Sequence, residues 1–301
     1  MINRLKPGAW SKTFLIAIFL LAPSYCAAGA EKAVLLKDSD VSFPQDPSAL
    51  LNMGVRYAEQ GDWDKAIEHL KKAQALDPKK VEVLVDLSLA YAEKNDFVNA
   101  VRQAQEAVKA DPKKTSAYHA LGLAWEGMKM PEKAIASYMA GIQADPQNAS
   151  DLHLTLGNLY GKQGSFDAAI KAYEAAISLN PKNTFAYSNL SYIYEELKNE
   201  PKAIETLERA AAIDSKDDVI WYDLGAAYGK MGNNPKALES YKKSFELNAK
   251  SYKACLSLAI AYEKQKDLEK AAEFYVKALS LTEDPRLKEA ILGQITRSSE
   301  E

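Results

Sequence analysis

The chain is poor in the residues that most often carry metal and redox chemistry. Its 301 residues include only two cysteines and three histidines. Two cysteines cannot form a disulfide framework or a four-thiolate zinc site. Lys and Arg (38) do not outnumber Asp and Glu (41), so the basic surface of a nucleic-acid-binding protein is missing as well. The remaining class is an ordinary globular protein, with 47% hydrophobic residues and enough apolar material for a sizeable core.

Motifs of catalysis are also lacking. The sequence contains no G-x-S-x-G, no phosphate-binding glycine loop and no H-E-x-x-H. His69, His119 and His153 fall on different predicted helices, and none has a Cys, Asp or Glu partner at a metal-ligand spacing. We therefore predict a protein that is not an enzyme, with solvated or half-buried histidines and with no cofactor or metal.

Long apolar runs are missing too, and the nine residues Phe14–Ala22 are well short of the roughly 20 that span a bilayer. Three basic residues precede this run, and Ala28-Gly29-Ala30 follows it with small residues at the −3 and −1 positions. This pattern predicts a secretory signal peptide over residues 1–30, cut before Glu31, and hence a periplasmic or secreted protein. An uncleaved anchor is the alternative, and the membrane would then be reached only through this segment.

Removing residues 1–30 changes the charge and the cysteine count. The mature chain keeps 35 basic residues against 41 acidic ones, a net charge of −6, and a single cysteine, Cys255. We interpret Cys255 as a small buried hydrophobic residue. An intermolecular disulfide is the alternative in an oxidising compartment.

What the sequence does contain is a repeat of 34 residues. Large aromatic residues recur at Tyr57, Tyr91, Trp125, Tyr160, Tyr194, Tyr228 and Tyr262. Nine residues after each comes an alanine, at Ala66, Ala100, Ala134, Ala169, Ala203, Ala237 and Ala271. Apolar residues around both registers follow the i, i+3, i+4, i+7 spacing of helices with one buried face. Gly61-Asp62, Asn95-Asp96, Gly164-Ser165 and Gly232-Asn233 interrupt the pattern at equivalent places. Each unit is therefore predicted to be two helices joined by a tight turn and crossing closely at the alanine.

This pattern resembles the tetratricopeptide repeat family. The third unit shows it most fully, with Tyr118, Leu121-Gly122, Trp125, Ala134, Tyr138, Gly141 and Pro146. The resemblance implies an all-α fold, a right-handed α-solenoid of about seven helix-turn-helix units plus a C-terminal capping helix. The predicted units are 47–80, 81–114, 115–148, 150–183, 184–217, 218–251 and 252–284, after a flexible lead-in at 31–46 and before a capping helix and tail at 285–301.

The resemblance also implies a concave groove, lined by the first helix of each unit, that holds an extended peptide or a partner helix. The sixth position of each unit is expected to face that groove, where small polar side chains could bond a peptide backbone. These positions hold Asn52, Asp86, Ala120, Thr155, Asn189, Asp223 and Ser257. Plain solvation of an exposed helix face is the alternative reading of this ladder.

A well-known site of the family is a clamp for a C-terminal carboxylate. Asn158 and Asn189 occupy its two asparagine positions, but Leu154, Val219 and Asp223 stand where the clamp has basic residues. A carboxylate would be repelled by Asp223, so we reject this mode of binding.

Two other groove features are predicted to bind a partner. The first three units place acidic residues and no Lys or Arg at the groove positions Glu59, Glu82, Asp86, Glu93 and Glu126, which favours a basic partner segment. In the fifth and sixth units Phe185, Asn189 and Tyr192 share one helix face, with Tyr222 on a neighbouring helix, a composition typical of an interface anchor. The alternatives are that the acids serve solubility and that the aromatics fill the seam between units.

Two functions remain open. The first is a non-enzymatic scaffold that binds a peptide or helix of another protein and supports assembly of an envelope or secretion complex. The second is a self-assembling structural protein, in which residues 31–46 of one molecule occupy a neighbour's groove and form a homo-oligomer. Nucleic acid is expected as a partner in neither.

Overall fold

The computed structural model describes residues 46–298 of the chain. Within that range it contains fifteen α-helices, a short 3-10 helix at Pro146–Asn148 and no strand, so the predicted all-α repeat fold is confirmed. The predicted signal peptide and most of the lead-in lie outside the described residues.

The helices alternate between a first and a second helix of each pair. The first helices are α1 (Pro47–Glu59), α3 (Val81–Glu93), α5 (Thr115–Gly127), α7 (Ser150–Lys162), α9 (Thr184–Glu196), α11 (Asp218–Lys230) and α13 (Tyr252–Lys264). The second helices are α2 (Trp63–Leu76), α4 (Phe97–Ala110), α6 (Pro131–Ala144), α8 (Phe166–Leu179), α10 (Glu200–Ile213), α12 (Asn234–Leu247) and α14 (Leu268–Leu281). A final helix, α15, spans Pro285–Ser298.

A residue in the left-handed conformation separates the two helices of each pair. The predicted turns are confirmed at Gly61, Asn95, Gly164 and Gly232, and Lys129, Lys198 and Lys266 take the same backbone conformation in the other pairs. The next residue often caps the second helix; the Asp62 carboxylate, for example, accepts from the Lys65 backbone N–H at 3.2 Å. Turn and cap together fix where each second helix begins.

The described residues form two compact units, each made of several helix pairs. The first contains residues 46–112 and 123–130, and the second contains residues 113–122 and 131–298, so the division falls within α5. The second unit carries the larger core, in which Tyr173, Tyr187 and Leu190 pack together, and Leu258 and Tyr275 pack farther along the chain.

The alanines of the repeat lie where the two helices of a pair cross. Ala66, Ala100, Ala134, Ala169, Ala203 and Ala271 are fully buried and Ala237 is 3% exposed, so the predicted close crossing is confirmed. No larger side chain fits at these positions without pushing the helices apart.

Ala134→Leu should therefore destabilise the chain by overpacking, by about 1–3 kcal/mol. Chemical denaturation of the variant measures the effect. Ala290→Leu is the matched control, because Ala290 lies exposed on α15 and the same added volume there meets solvent. Equal stability of the two variants would contradict the close crossing.

The last helix covers the final pair. Ile291 of α15 is 1% exposed and packs with Leu287 and Ile295 against the core of α13 and α14. Ala290 lies on the same helix and is exposed. Cys255 is a free cysteine and fully buried, as predicted for a packing residue.

Candidate partner-binding surfaces

In each of the two compact units, the first helices carry the residues predicted to bind a partner, and their surface in that unit is called its first-helix face. In the first unit, Asn52, Glu59 and Glu82 are exposed, while Asp86 and Glu93 are half-buried. The predicted acidic residues of this unit therefore lie at different depths. Glu59 and Glu82 meet solvent, whereas Asp86 and Glu93 are partly withdrawn from it.

Asp86 is the most unusual group of the first unit. Within residues 46–298 its carboxylate has neither a hydrogen bond nor an ion pair, and burial, with the nearby charge of Glu82, raises its pKa to about 7. A carboxylate that loses water without gaining a partner is held near neutrality because its charged form is poorly stabilised. Asp86, which we expected to offer only a small polar side chain, is thus a carboxyl group that a nearby cation would cause to ionise.

An amide pair links two first helices in the second unit. The Asn189 side chain of α9 donates from Nδ2 to Oδ1 of Asn158 on α7 at 2.9 Å, and the Tyr173 hydroxyl donates to the same oxygen at 2.8 Å. The two asparagines at the clamp's asparagine positions therefore bond each other. Leu154, at one of the clamp's basic positions, is 5% exposed and part of the core.

Two aromatic side chains stand out from α9 beside this amide pair. Phe185 is 49% exposed and Tyr192 is 47% exposed, and Val219 of α11 is 55% exposed. Tyr222 of α11 is half-buried and packs against the Tyr241 ring, with centroids 5.8 Å apart. About half of the Phe185 and Tyr192 surface is thus exposed to solvent, whereas the Tyr222 ring is packed against Tyr241.

Asp223 repeats the situation of Asp86 in the second unit. It is half-buried, it has no hydrogen bond or ion pair in the described part of the chain, and its pKa is raised to about 7. Burial is the main cause, and Glu195 adds to it, while Lys253 and Lys230 act in the opposite direction. Lys230 itself donates to Glu195 at 2.5 Å, which ties α11 to α9.

The polar ladder is incomplete. Ala120 is 1% exposed, so the third rung is buried, and Thr155 uses its hydroxyl to donate to the Asp151 carbonyl at 2.8 Å. Because that proton is committed, the Thr155 oxygen accepts at 3.0 Å from Nε2–H of His119, which fixes the imidazole tautomer. Burial lowers the pKa of His119 to about 4, so the ring is neutral and structural.

Two of the three histidines are bonded within the fold. His69 is buried, whereas we expected it to be solvated or half-buried, and its Nδ1 bonds the Lys65 carbonyl at 2.9 Å. Across residues 46–298 no group of three His, Cys, Asp or Glu side chains is placed to hold a metal ion. Over the same residues, no helix combines the length and the apolar character needed to cross a membrane.

Sequence reasoning missed a second regularity, in which an ammonium group lies over the repeated tyrosine. Lys65, Lys202, Lys236 and Lys270 lie 5.2, 5.3, 4.9 and 5.3 Å from the ring centroids of Tyr57, Tyr194, Tyr228 and Tyr262. Each lysine follows its tyrosine by eight residues and precedes the crossing alanine. This spacing could have identified the contacts, which join the two helices of a pair.

Solved structures share this fold at low sequence identity. The C-terminal part of a TPR repeat-containing protein from Cytophaga hutchinsonii superposes with a TM-score of 0.61 at 18% identity, covering 80% of this chain and 99% of that one. Yeast Tom70 gives 0.60 at 18% identity, over 84% of this chain and 53% of Tom70. Pseudomonas aeruginosa PilF gives 0.59 at 16% identity, over 71% of this chain and 97% of PilF. These likenesses support the fold.

Family models describe nearly the whole chain. No curated protein matches it. Models described as tetratricopeptide repeat match residues 27–81, 57–124, 115–148 and 133–284. Since the last of these matches alone spans half of the 301 residues, the chain belongs to the tetratricopeptide repeat family.

Proposed function

We propose that the chain is a non-enzymatic scaffold that binds peptide or helix segments of other proteins on its first-helix faces. After export and removal of residues 1–30 it would support assembly of an envelope or secretion complex. The observation that carries this proposal is the pair of half-exposed rings, Phe185 and Tyr192, beside the Asn158–Asn189 amide pair.

Exposed aromatic rings beside fixed amides are suited to anchoring a partner. A rigid ring loses little conformational entropy on binding and buries a large area, which is why aromatics dominate the energetics of many interfaces. Asn189 retains polar atoms beyond its bond to Asn158, so it can still meet a partner backbone. Ring and amide together would give affinity without demanding one particular sequence.

The acidic residues of the first unit favour a partner with basic segments. Glu59 and Glu82 are exposed, and Asp86 has no cation within the described residues. A lysine or arginine of the partner would stabilise the ionised Asp86 and would be drawn to the surrounding negative charge. Attraction between a basic partner and the mature chain, whose net charge is −6, would also speed their association.

Export rests on the pattern of the first thirty residues. Three basic residues, a nine-residue apolar run and small residues before position 31 are the features of a signal peptide. A repeat scaffold without its own catalytic motifs, placed outside the cytoplasm, is best used to hold other proteins together.

The test is affinity capture from an envelope extract with residues 31–301 as bait. The wild-type bait should retain a defined set of proteins, and Phe185→Ala/Tyr192→Ala should reduce their recovery at least tenfold. Partners that bind the first unit should elute at moderate salt, because charge attraction there is screened by ions.

Val276→Ala/Leu268→Ala serves as the matched control. It removes two exposed apolar side chains, 58% and 38% exposed, from the second helix α14. Retention of the same proteins by wild type, control and the Phe185→Ala/Tyr192→Ala bait, all folded by circular dichroism, would exclude the aromatic anchor. Capture of no protein by the wild type would count against the scaffold itself.

A further inference from the structure

One carboxyl group on the second unit's first-helix face has no partner. One face of α11 carries, at the spacing i, i+3, i+4 and i+7, the side chains of Val219, Tyr222, Asp223 and Ala226. None of the four is fully buried. Asp223 is the charged member of this stripe, and within residues 46–298 it has neither a hydrogen bond nor an ion pair. An apolar and aromatic stripe therefore contains a carboxyl group to which nothing in the described chain bonds.

The preceding repeat pairs this position inside the chain. Asn189 stands there, and its amide donates to Asn158 at 2.9 Å. Thirty-four residues later the two positions hold Asp223 and Tyr192. An ionised carboxylate has no proton to donate, and Tyr192 lies beside Glu196, which adds to burial in raising the pKa of the phenol. The change from amide to carboxylate has thus replaced an internal donor with an acceptor that can bind a partner.

The lysines near Asp223 leave it unpaired. Lys230 is held by Glu195 at 2.5 Å, and Lys253 is exposed on α13. Neither forms an ion pair with Asp223 in the described residues, although both favour its ionised form from a distance. Glu195 and Asp217 act against its ionisation. Three carboxyl groups therefore share this region with two ammonium groups, and charge complementarity favours a cation from a partner.

The exposed side chains of this face favour arginine as that cation. Phe185 and Tyr192 of α9 are 49% and 47% exposed, and Val219 is 55% exposed. A guanidinium group is weakly hydrated, stacks on aromatic rings and can bond a carboxylate through two parallel N–H groups. A lysine ammonium is a strongly hydrated point charge, so it loses more hydration at an apolar surface. Apolar residues beside the arginine would cover the exposed rings and Val219.

We propose that the second unit's first-helix face binds partner segments through an arginine that pairs with Asp223 and is flanked by apolar residues. This inference rests on the proposed scaffold function and states which segments this face selects. The guanidinium supplies the hydrogen-bond donors that Asp223 lacks, and its apolar neighbours lie on Val219 and Phe185. The acidic residues of the first unit attract basic segments in general, whereas the second unit selects a single arginine within an apolar sequence.

The test measures binding of the capped peptide Gly-Leu-Arg-Leu-Gly to residues 31–301 at pH 8. Control peptides replace the arginine by citrulline, which keeps the shape without the charge, or by lysine. Binding is followed by the methyl NMR signals of Val219 and Ala226, which lie on either side of Asp223 along α11. The arginine peptide should shift both signals and bind about tenfold more tightly than the citrulline peptide. It should also bind several-fold more tightly than the lysine peptide.

Affinity for the arginine peptide should rise about tenfold from pH 6 to pH 8. Burial, together with Glu195 and Asp217, raises the pKa of Asp223 to about 7, and only the ionised carboxylate pairs with a guanidinium. The ionised fraction of Asp223 therefore grows about tenfold over this interval, while arginine keeps its charge. The other titratable groups around Asp223 are Glu195 on α9, Asp217 at the start of α11, Tyr222 and Lys230 on α11, Tyr241 on α12 and Lys253 on α13. A flat pH profile in Asp223→Asn would assign the dependence to Asp223 itself.

Asp223→Asn should weaken binding of the arginine peptide about tenfold at pH 8. Asp167→Asn is the matched control and should leave binding unchanged, because Asp167 is an exposed carboxylate on the second helix α8. Lys253→Gln removes a competing cation and should tighten binding several-fold. It replaces Asp223→Asn as the test if that variant does not fold.

Equal affinity for the arginine and citrulline peptides, no shift with any peptide, or binding that Asp223→Asn leaves unchanged would overturn the proposal. Equal affinity for the lysine peptide would overturn the choice of arginine. Failure of the scaffold function gives a different result, because the wild-type bait would then capture no protein from the envelope extract, whatever the peptides do.

Discussion

Gly122→Ala is expected to destabilise the chain by about 3 kcal/mol, because the added carbon has nowhere to go. A Cβ at Gly122 would lie 2.1 Å from Cε1 of Tyr138, and the Tyr138 ring is fully buried. An aromatic ring in a closed core cannot swing away as the end of a lysine could. The clash must therefore be relieved by separating α5 from α6 or by tilting the ring out of its packing.

The higher helix propensity of alanine stabilises the Gly122→Ala variant, but by less than the clash destabilises it. Alanine favours a helix interior over glycine by about 1 kcal/mol. Gly293→Ala isolates that effect, because nothing lies within 4 Å of a Cβ at Gly293 on α15. We expect Gly293→Ala to be slightly stabilising, while the same change at Gly122 is strongly unfavourable.

A double-mutant cycle with Tyr138→Ala separates the clash from general damage. Once the ring is gone, Gly122→Ala should add no further destabilisation and should instead gain from helix propensity. The cycle would then give a coupling of about 4 kcal/mol, the clash in the wild type plus the gain in the Tyr138→Ala background. Additive free energies of unfolding by urea would show that Gly122 is small for a reason other than Tyr138.

Asp86→Asn is expected to stabilise the chain at pH 8 by ~2 kcal/mol, with no comparable gain at pH 4. The pKa of Asp86 is about 7 in the folded chain, against an ordinary value of 3.8. Between those values the folded state holds a proton that the unfolded state has released. Stability from this group is therefore complete below about pH 4 and is lost as the pH rises through 7.

Unfolding free energies at pH 4, 6 and 8 would measure this slope. The wild type should lose stability over that interval, and Asp86→Asn should remove part of the loss. Asp223→Asn tests the equivalent group of the second unit, whose pKa is raised for the same main reason. Glu59→Gln is the control, because Glu59 is exposed on α1 and its neutralisation should change little. If Asp86→Asn were no more stable than wild type at pH 8, Asp86 would have a partner when ionised.

The fold was predictable from sequence because the same residue types recur at the same spacing in every repeat. Tyrosines 34 residues apart and alanines nine residues later are enough to place two crossing helices, and the burial of Ala66 and Ala134 confirms the crossing. The turn residues were only partly visible. A glycine such as Gly61 indicates a left-handed backbone, because glycine adopts positive φ without steric cost. Lys198 takes the same conformation, but a lysine rarely has positive φ, so its sequence gives no signal of the turn.

The candidate surfaces were predictable as positions but not as chemistry. Spacing placed Asp86 and Asn189 on first helices, yet it could not show that one carboxylate lacks a partner or that Asn189 bonds Asn158. Such facts depend on how neighbouring helices approach each other.

The junction between α10 and α12 bears on the mechanics of the chain. In a repeat protein each helix pair touches chiefly its neighbours, so bending is resisted locally, by the side chains shared across each junction. Leu207, Leu224 and Tyr228 pack together at this junction, and Trp221 packs against them. Bending between α10 and α12 is therefore resisted by how closely these few side chains fit.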